Sequence, residues 1–417
     1  MEIALRQCIV CAWILLLVCH SVVPSNVTGM SRQKIIDKIL GPPYDSRIPP
    51  NYEEDFPVLV RVQVHILSLD SISETDMEYS MVLFLDQTWK DNRLVYDPIS
   101  NLKSLELDVK FMEKVWVPDL YFVNEKKASF HTVTVPNKLM HIYPDGRTKY
   151  SIRISETLKC NMDLRKYPLD SQICSMIMES YGYSIDNLKF VWHHDPVNFD
   201  PSMKLPQFEI VDNKTSNCDA TYYGVNYSCI RLDIFFERNF GSYKTQIYIP
   251  CILIIILSWV SFWIDVDAVP ARISLGLLTV LTMITHSAGI RSNLPLVSYI
   301  KAIDIWMATC MFFVFAALLE FAFVNVLSRA EKRRVRETIK KASKPKQLQS
   351  TLDDEETQKS EVAGNSQGRH MMRFFLRDED KARIVDKLSR VIFPTLFVIF
   401  NIIYWCVYVY WKPVLEK

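Results

Sequence analysis

The sequence predicts an all-β sandwich outside a membrane, followed by a four-helix transmembrane bundle. Three observations carry this. Short alternating strands run from about Phe56 to Asn239, four long apolar stretches follow residue 243, and four cysteines gather in the first region. Hydrophobic residues make up 49% of the 417, high for a fully soluble chain, and the apolar stretches account for it. The net charge of +1 excludes the basic face that a nucleic-acid partner requires.

In chain order, residues 1–25 read as a secretory signal. Arg6 supplies the positive end, Cys8 to Val18 the apolar centre, and Ser21 and Ser25 the small residues that follow. Ser31 is then placed to cap a short helix that stops at Gly41-Pro42-Pro43. In the β region Val58, Val60, Val62 and Val64 alternate with Leu59, Arg61, Gln63 and His65. The same period returns at Met81–Leu85, Lys149–Ile154 and Ile230–Phe236, separated by turn clusters such as Tyr143-Pro144-Asp145-Gly146.

Of the ten cysteines, Cys8, Cys11 and Cys19 belong to the signal, and Cys251, Cys310 and Cys406 to apolar runs. Cys160, Cys174, Cys218 and Cys229 remain, an even number in a segment expected to be exported. Three pairings are open to them, and two short local loops is the simplest. Glycosylation sequons at Asn26, Asn213 and Asn226 fall in the same segment, and none follows residue 240.

Ile247 to Ile264, Ile305 to Leu327 and Val391 to Tyr410 are long and apolar enough to span a bilayer. Ile273 to Ile290 differs, because it mixes Leu, Ile and Val with Ser274, Thr279, Thr282, Thr285, His286 and Ser287. A helix this polar inside a membrane is expected to face water or protein. It is the pore candidate. Nine Lys or Arg between Arg329 and Lys346 place the next loop in the cytoplasm. The expected division is therefore signal 1–25, extracellular domain 26–243, three spans in 244–328, cytoplasmic loop 329–388, and a fourth span with a short extracellular end in 389–417. Residues 343–369 read as disordered, with a helix resuming from Phe374 to Leu388.

Local motifs then point to a family. Cys160 and Cys174 enclose Tyr167-Pro168-Leu169-Asp170, which resembles the signature loop of Cys-loop receptors, the pentameric ligand-gated channels. Trp116-Val117-Pro118-Asp119 is similar to their W-x-P-D element. Leu257 to Trp263 and Tyr299 to Asp304 resemble glycine receptors almost letter for letter. The resemblance covers about Tyr44 to Trp411 apart from the cytoplasmic loop, and extends to glutamate-gated chloride channels.

It implies disulfides Cys160–Cys174 and Cys218–Cys229, and Tyr167-Pro168 is a candidate cis peptide. It implies that the first loop passes ligand binding to the pore, with Glu74 and Arg238 pairing at the junction and residues 295–301 receiving the push. Closing the first loop is worth about 3 kcal/mol in chain entropy.

Ser274, Leu278, Leu281, Thr285, Ala288 and Ser292 share one helical face. Periodicity also allows a stripe through Thr279, Thr282 and His286, and the family register selects the first. Leu281 then matches the gate, where a leucine ring blocks ions by dewetting. Pro270 suits the first helical position, so five positive helix ends face the ion path. Arg272 and Arg291 add cations, and Pro270-Ala271-Arg272 resembles anion channels. No acidic residue lies between Val269 and Ile303. Chloride is the expected ion. Leu278 stands where relatives usually carry Thr, which predicts a tighter constriction and poor picrotoxin block.

The resemblance places the agonist between subunits. Tyr181 and Ser180, with Tyr222 and Tyr227, belong to one face, and Phe84 with Ser151 to the other; Tyr183 reads as packing. Aromatic faces suit an ammonium group. Asp86 occupies the position where relatives carry a carboxylate-clamping Arg, and Gly224 stands where they carry Thr. Arg153 is a partial substitute. These departures lead to an amine ligand or a proton as alternatives, and to an accessory subunit as a second class. His193 and His194 hint at a metal, but neighbours on a strand point to opposite faces, so no metal is expected. No nucleophile–base motif or phosphate loop is present, and neither an enzyme nor a cofactor is expected. The expected partners are like subunits in a homo- or hetero-pentamer, a small neurotransmitter, chloride and lipid, at a postsynaptic membrane.

Overall fold

Alternation of period two decides the extracellular architecture, because each strand presents one apolar face. A computed structural model of the chain describes residues 31–98, 102–292, 294–342 and 360–410, without the side chains of 331, 341–342, 360–381 and 410. The expected signal peptide and Asn26 lie outside the described residues.

Helix α1 (Arg32–Ile39) comes first, burying Ile35, Ile36 and Ile39. Ser31 occupies its N-cap position, but its hydroxyl makes no capping hydrogen bond. The strands are β1 (Val58–Ser73), β2 (Glu78–Lys90), β3 (Leu105–Glu106), β4 (Leu120–Phe122), β5 (Glu125–Phe130), β6 (Lys138–Ile142) and β7 (Arg147–Lys159). They continue with β8 (Ser171–Ser180), β9 (Leu188–Phe199), β10 (Phe208–Asn217), β11 (Ala220–Tyr222), β12 (Val225–Tyr227) and β13 (Cys229–Arg238).

One sheet runs β3-β6-β7-β2-β1-β9, with β5 added along β7. A second runs β10-β13-β8-β4. Val58, Val60, Val62, Val64 and Ile66 of β1 are all buried, as are Tyr79, Met81, Leu83 and Leu85 of β2. The second sheet buries Met176, Met178, Leu232, Ile234 and Phe236. Removing such runs from water is the main drive for closing the sandwich. Gly146 closes the β6–β7 turn at φ +79°, where a Cβ would meet the Asp91 carbonyl at 2.4 Å. Only glycine fits there without a shift.

Among the described residues four helices are long and apolar enough to cross a membrane: Gly241–Trp263, Val269–Arg291, Ala302–Lys340 and Ala382–Val409. Each begins before its sequence-read start. The last helix starts at Ser360, so residues 360–369 are helical and the expectation of disorder is corrected there. A helix already nucleated by an apolar span extends at little cost per residue. Aromatic rings lock the helices together, with Trp306 packing on Tyr248 at 4.8 Å and on Tyr404 at 5.1 Å.

Candidate ligand face, coupling junction and pore

Three places hold the residues singled out above. The first is an aromatic face at the end of β8. Asp119 of Trp116-Val117-Pro118-Asp119 accepts from the Gly182 amide at 2.6 Å and from the Ser180 hydroxyl at 2.8 Å. These bonds shape the turn that presents Tyr181, which is exposed and stacks edge-on against Tyr121 at 5.5 Å. Tyr222 and Tyr227 meet at 5.8 Å on the β11–β12 hairpin. That hairpin turns at Tyr223 and Gly224, both with positive φ, the demand of a two-residue primed turn. Gly224 is thereby explained by backbone geometry.

Ser180 is turned into the domain. It is buried, and its hydroxyl is spent on Asp119 and on the Tyr183 carbonyl at 3.0 Å. The pleat directs it inward, which corrects its assignment. Glu179 is the residue that sequence reading passed over. Its carboxylate accepts from the Tyr222 hydroxyl at 3.5 Å. Burial pushes its carboxyl upward, and the Tyr222 bond opposes this. Tyr183 packs on Trp116 at 6.2 Å and accepts its indole N–H.

The central strand pair of the larger sheet carries the second set. In the β2–β7 register Phe84 faces Arg153 and Asp86 faces Ser151. His65 stacks on Phe84 at 6.3 Å. Asp86 is not a free negative charge, because Lys149 Nζ lies 2.7 Å away. No ion pair forms on Arg153 among the described residues, and its Nε is buried without a hydrogen-bond partner. The Asp86–Lys149 pair is close to neutral, and Arg153, its guanidinium unspent, is the cross-strand neighbour of Phe84.

Among the described residues the disulfides are Cys160–Cys174 and Cys218–Cys229, and the Tyr167-Pro168 bond is cis. The loop they begin with lands on the third helix. Leu164 N–H donates to the Tyr299 hydroxyl at 3.0 Å, Ala302 N–H to the Arg165 carbonyl at 2.9 Å, and Ile303 N–H to the Tyr167 carbonyl at 3.2 Å. Arg238 ties this contact to the sheets. Its guanidinium is fully buried, 2.7 Å from Asp170, bonded to Glu74, and within 3.2 Å of the Tyr243 hydroxyl on the first span. It lies 4.6 Å above the ring of Tyr167. Burial works against its charge, but the bonds and charges of Asp170 and Glu74 outweigh burial and hold it protonated.

On the second span, Pro270, Ala271, Ser274, Leu278, Leu281, Thr285, Ala288, Arg291 and Ser292 are all exposed on the single chain. The opposite stripe, Arg272, Gly276, Thr279, Met283 and Ser287, is buried in the bundle. Thr279 is thus removed from the alternative polar stripe, its hydroxyl donating to the Gly276 carbonyl. Arg272 is a correction. It is 1% exposed, donates to the Ile264 carbonyl, and pairs with Asp386 of the last helix at 2.6 Å. A 100° step from Ala271 turns it away from the exposed stripe, so it lends no free charge to a pore.

Known proteins match this arrangement. The neurotransmitter-gated ion-channel ligand binding domain matches residues 32–240, and the neurotransmitter-gated ion-channel transmembrane region matches 247–381. The chain belongs to the neurotransmitter-gated ion-channel family. Members are pentameric ligand-gated channels rather than enzymes. A similar relative is the glutamate-gated chloride channel of Drosophila melanogaster, 39% identical over 91% of each chain.

The histidine pair follows a different geometry from the one expected. The β1–β9 register shifts between Val62 and Val64, and this irregularity brings the His193 and His194 rings to 3.9 Å. Neighbours on opposite faces hold only for an unbroken pleat. Among the described residues no group of three metal-ligating side chains forms.

Proposed function

We propose that the chain is a subunit of a chloride channel opened by an amino-acid transmitter at the interface between subunits of a pentamer. The neutral exposed stripe of the second span supports the anion. It starts at Pro270, carries no carboxylate, and ends at Arg291, so five positive helix ends and an outer basic ring face the ion. Leu278 and Leu281 form the dry constriction. The glutamate-gated relative supports the same ion and ligand class.

Arg153 and the aromatic face around Tyr181 carry the ligand reading. One face offers an unspent guanidinium beside Phe84 and Ser151, with Asp86 neutralised by Lys149. The other offers the rings of Tyr181, Tyr222 and Tyr227, with the buried Glu179 carboxylate holding the Tyr222 hydroxyl. A ligand with a carboxylate at one end and an ammonium at the other meets both, the first by charge-assisted hydrogen bonds and the second by aromatic contact. An amine lacks a partner for Arg153.

In this reading residues 1–25 are a signal, 26–243 face outside, and Asn213 and Asn226, both exposed, carry glycans. The cell site is a postsynaptic membrane. Adjacent exposed leucines at 278 and 281 favour a second reading, a subunit that conducts only beside a different partner. Expressing the chain alone in oocytes and applying glutamate, glycine, amines and acid steps tests both. Amino-acid current reversing at the chloride potential is expected. Current with amines alone, or reversal at a cation potential, overturns the proposal.

A further inference from the structure

Strand β7 joins two of the places described above. Lys149, Ser151 and Arg153 lie near its start, and Cys160 follows its end. Its inward pleat reads Ile152, Ile154, Glu156, Leu158, and all four are buried. Three are aliphatic. The fourth is a carboxyl, 2% exposed, set among core side chains.

Glu156 has no ion-pair partner among the described residues, and its Oε2 is buried without a hydrogen bond. In register it faces Met81 of β2 and Ala128 of β5. The ionisable groups on the surrounding strands offer it no cation. From β2, Tyr79 is buried and donates its hydroxyl to the Ser175 carbonyl at 2.9 Å. From β5 come Glu125, a like charge, and Lys126, whose ammonium is taken by Glu78. Lys127 is exposed and registers with Thr157, on the outward pleat. Across the core, Asp233 of β13 is held by Arg231 at 2.6 Å. The inward residues of β8 and β4 are Gln172, disulfide-bonded Cys174, Met176, Met178, Ser180 and Phe122, none of which titrates.

An unpaired carboxylate in such a site is costly, whereas its protonated form is tolerated. We propose that Glu156 is a proton-binding site in the sandwich core, through which extracellular pH sets the response of the channel to its ligand. Burial first, and then Glu125, push its carboxyl up to about 8. The sign follows from linkage. A folded-state value above the unfolded one means that packing is favoured in acid and loses that advantage as pH rises toward 8. Ionisation draws water toward β7 between the ligand-facing residues and Cys160, so the response weakens in alkali.

The test is glutamate-evoked current from the full chain in oocytes, recorded between about pH 6.5 and pH 9, with an EC50 rise of at least ~5-fold expected across that range. Glu156→Gln and Glu156→Leu hold the low-pH value throughout. Glu125→Gln, at an exposed site, moves the inflection to lower pH. Thermal melting of the detergent-purified full chain gives a second readout that needs no agonist. Wild type loses stability as pH rises through about 8, and Glu156→Gln does not. A flat wild-type profile in both readouts, or a wild-type profile retained by Glu156→Gln, overturns the proposal.

Discussion

The Arg238 guanidinium lies 2.7 Å from the Asp170 carboxylate, with both side chains buried where the sandwich meets the helices. Glu74 and the Tyr243 hydroxyl complete its shell. Arg238 thereby joins the β1–β2 turn, the disulfide loop and the first span through one side chain.

Removing Arg238 leaves two carboxylates in a dry junction. Breaking a buried pair this way costs about 3–5 kcal/mol. Arg238→Ala is therefore expected to abolish surface protein, read by biotinylation. Asp170→Asn, which keeps a hydrogen-bonding partner for Arg238, should reach the surface with an EC50 raised more than ~10-fold. Normal agonist sensitivity in Asp170→Asn would show that the junction is only a staple.

Arg272 and Asp386 form a second buried pair, 114 residues apart. Either Arg272→Met or Asp386→Leu alone strands a charge inside the bundle and is expected to lower surface expression sharply. The double variant should recover it, since buried pairs are often replaceable by apolar residues. Its reversal potential should stay at the chloride value. A shift toward a cation potential in the double variant would return Arg272 to the ion path.

On the ligand face the unspent charge is Arg153. Arg153→Ala should raise the EC50 for glutamate by roughly 10- to 100-fold, the scale of a lost charge-assisted bond. Asp86→Asn frees Lys149 and should lower that EC50. An unchanged concentration–response curve in both would remove the carboxylate reading.

Leu278 and Leu281 are 58% and 59% exposed on the single chain, on one stripe of the second span. Wild-type current should resist picrotoxin, and Leu278→Thr should become sensitive to it. Full block of wild type at ordinary doses contradicts this role for Leu278.

Much of this was legible without coordinates. The period of Val58 to Val64, the apolar lengths of the spans and the turn at Gly146 are local signals, because neighbouring residues along the chain decide them. The exposed stripe from Ser274 to Ser292 follows from helical period once its register is known. Arg238 with Glu74 was reached through family likeness. Glu179 was missed because a single Glu before Ser180 carries no local mark; its meaning comes from Tyr222, 43 residues away.

Strand and helix periods, the cysteines available for pairing and the absence of acid on the second span are written in the order of residues alone. Tertiary structure decided where charge is spent. Asp86 is silenced by Lys149, Arg272 by Asp386, and Glu156 by nothing among the described residues. The physical reason is range. Secondary structure is set by contacts a few residues apart, whereas a charge acts through whatever partner and solvent the finished fold brings within a few ångströms.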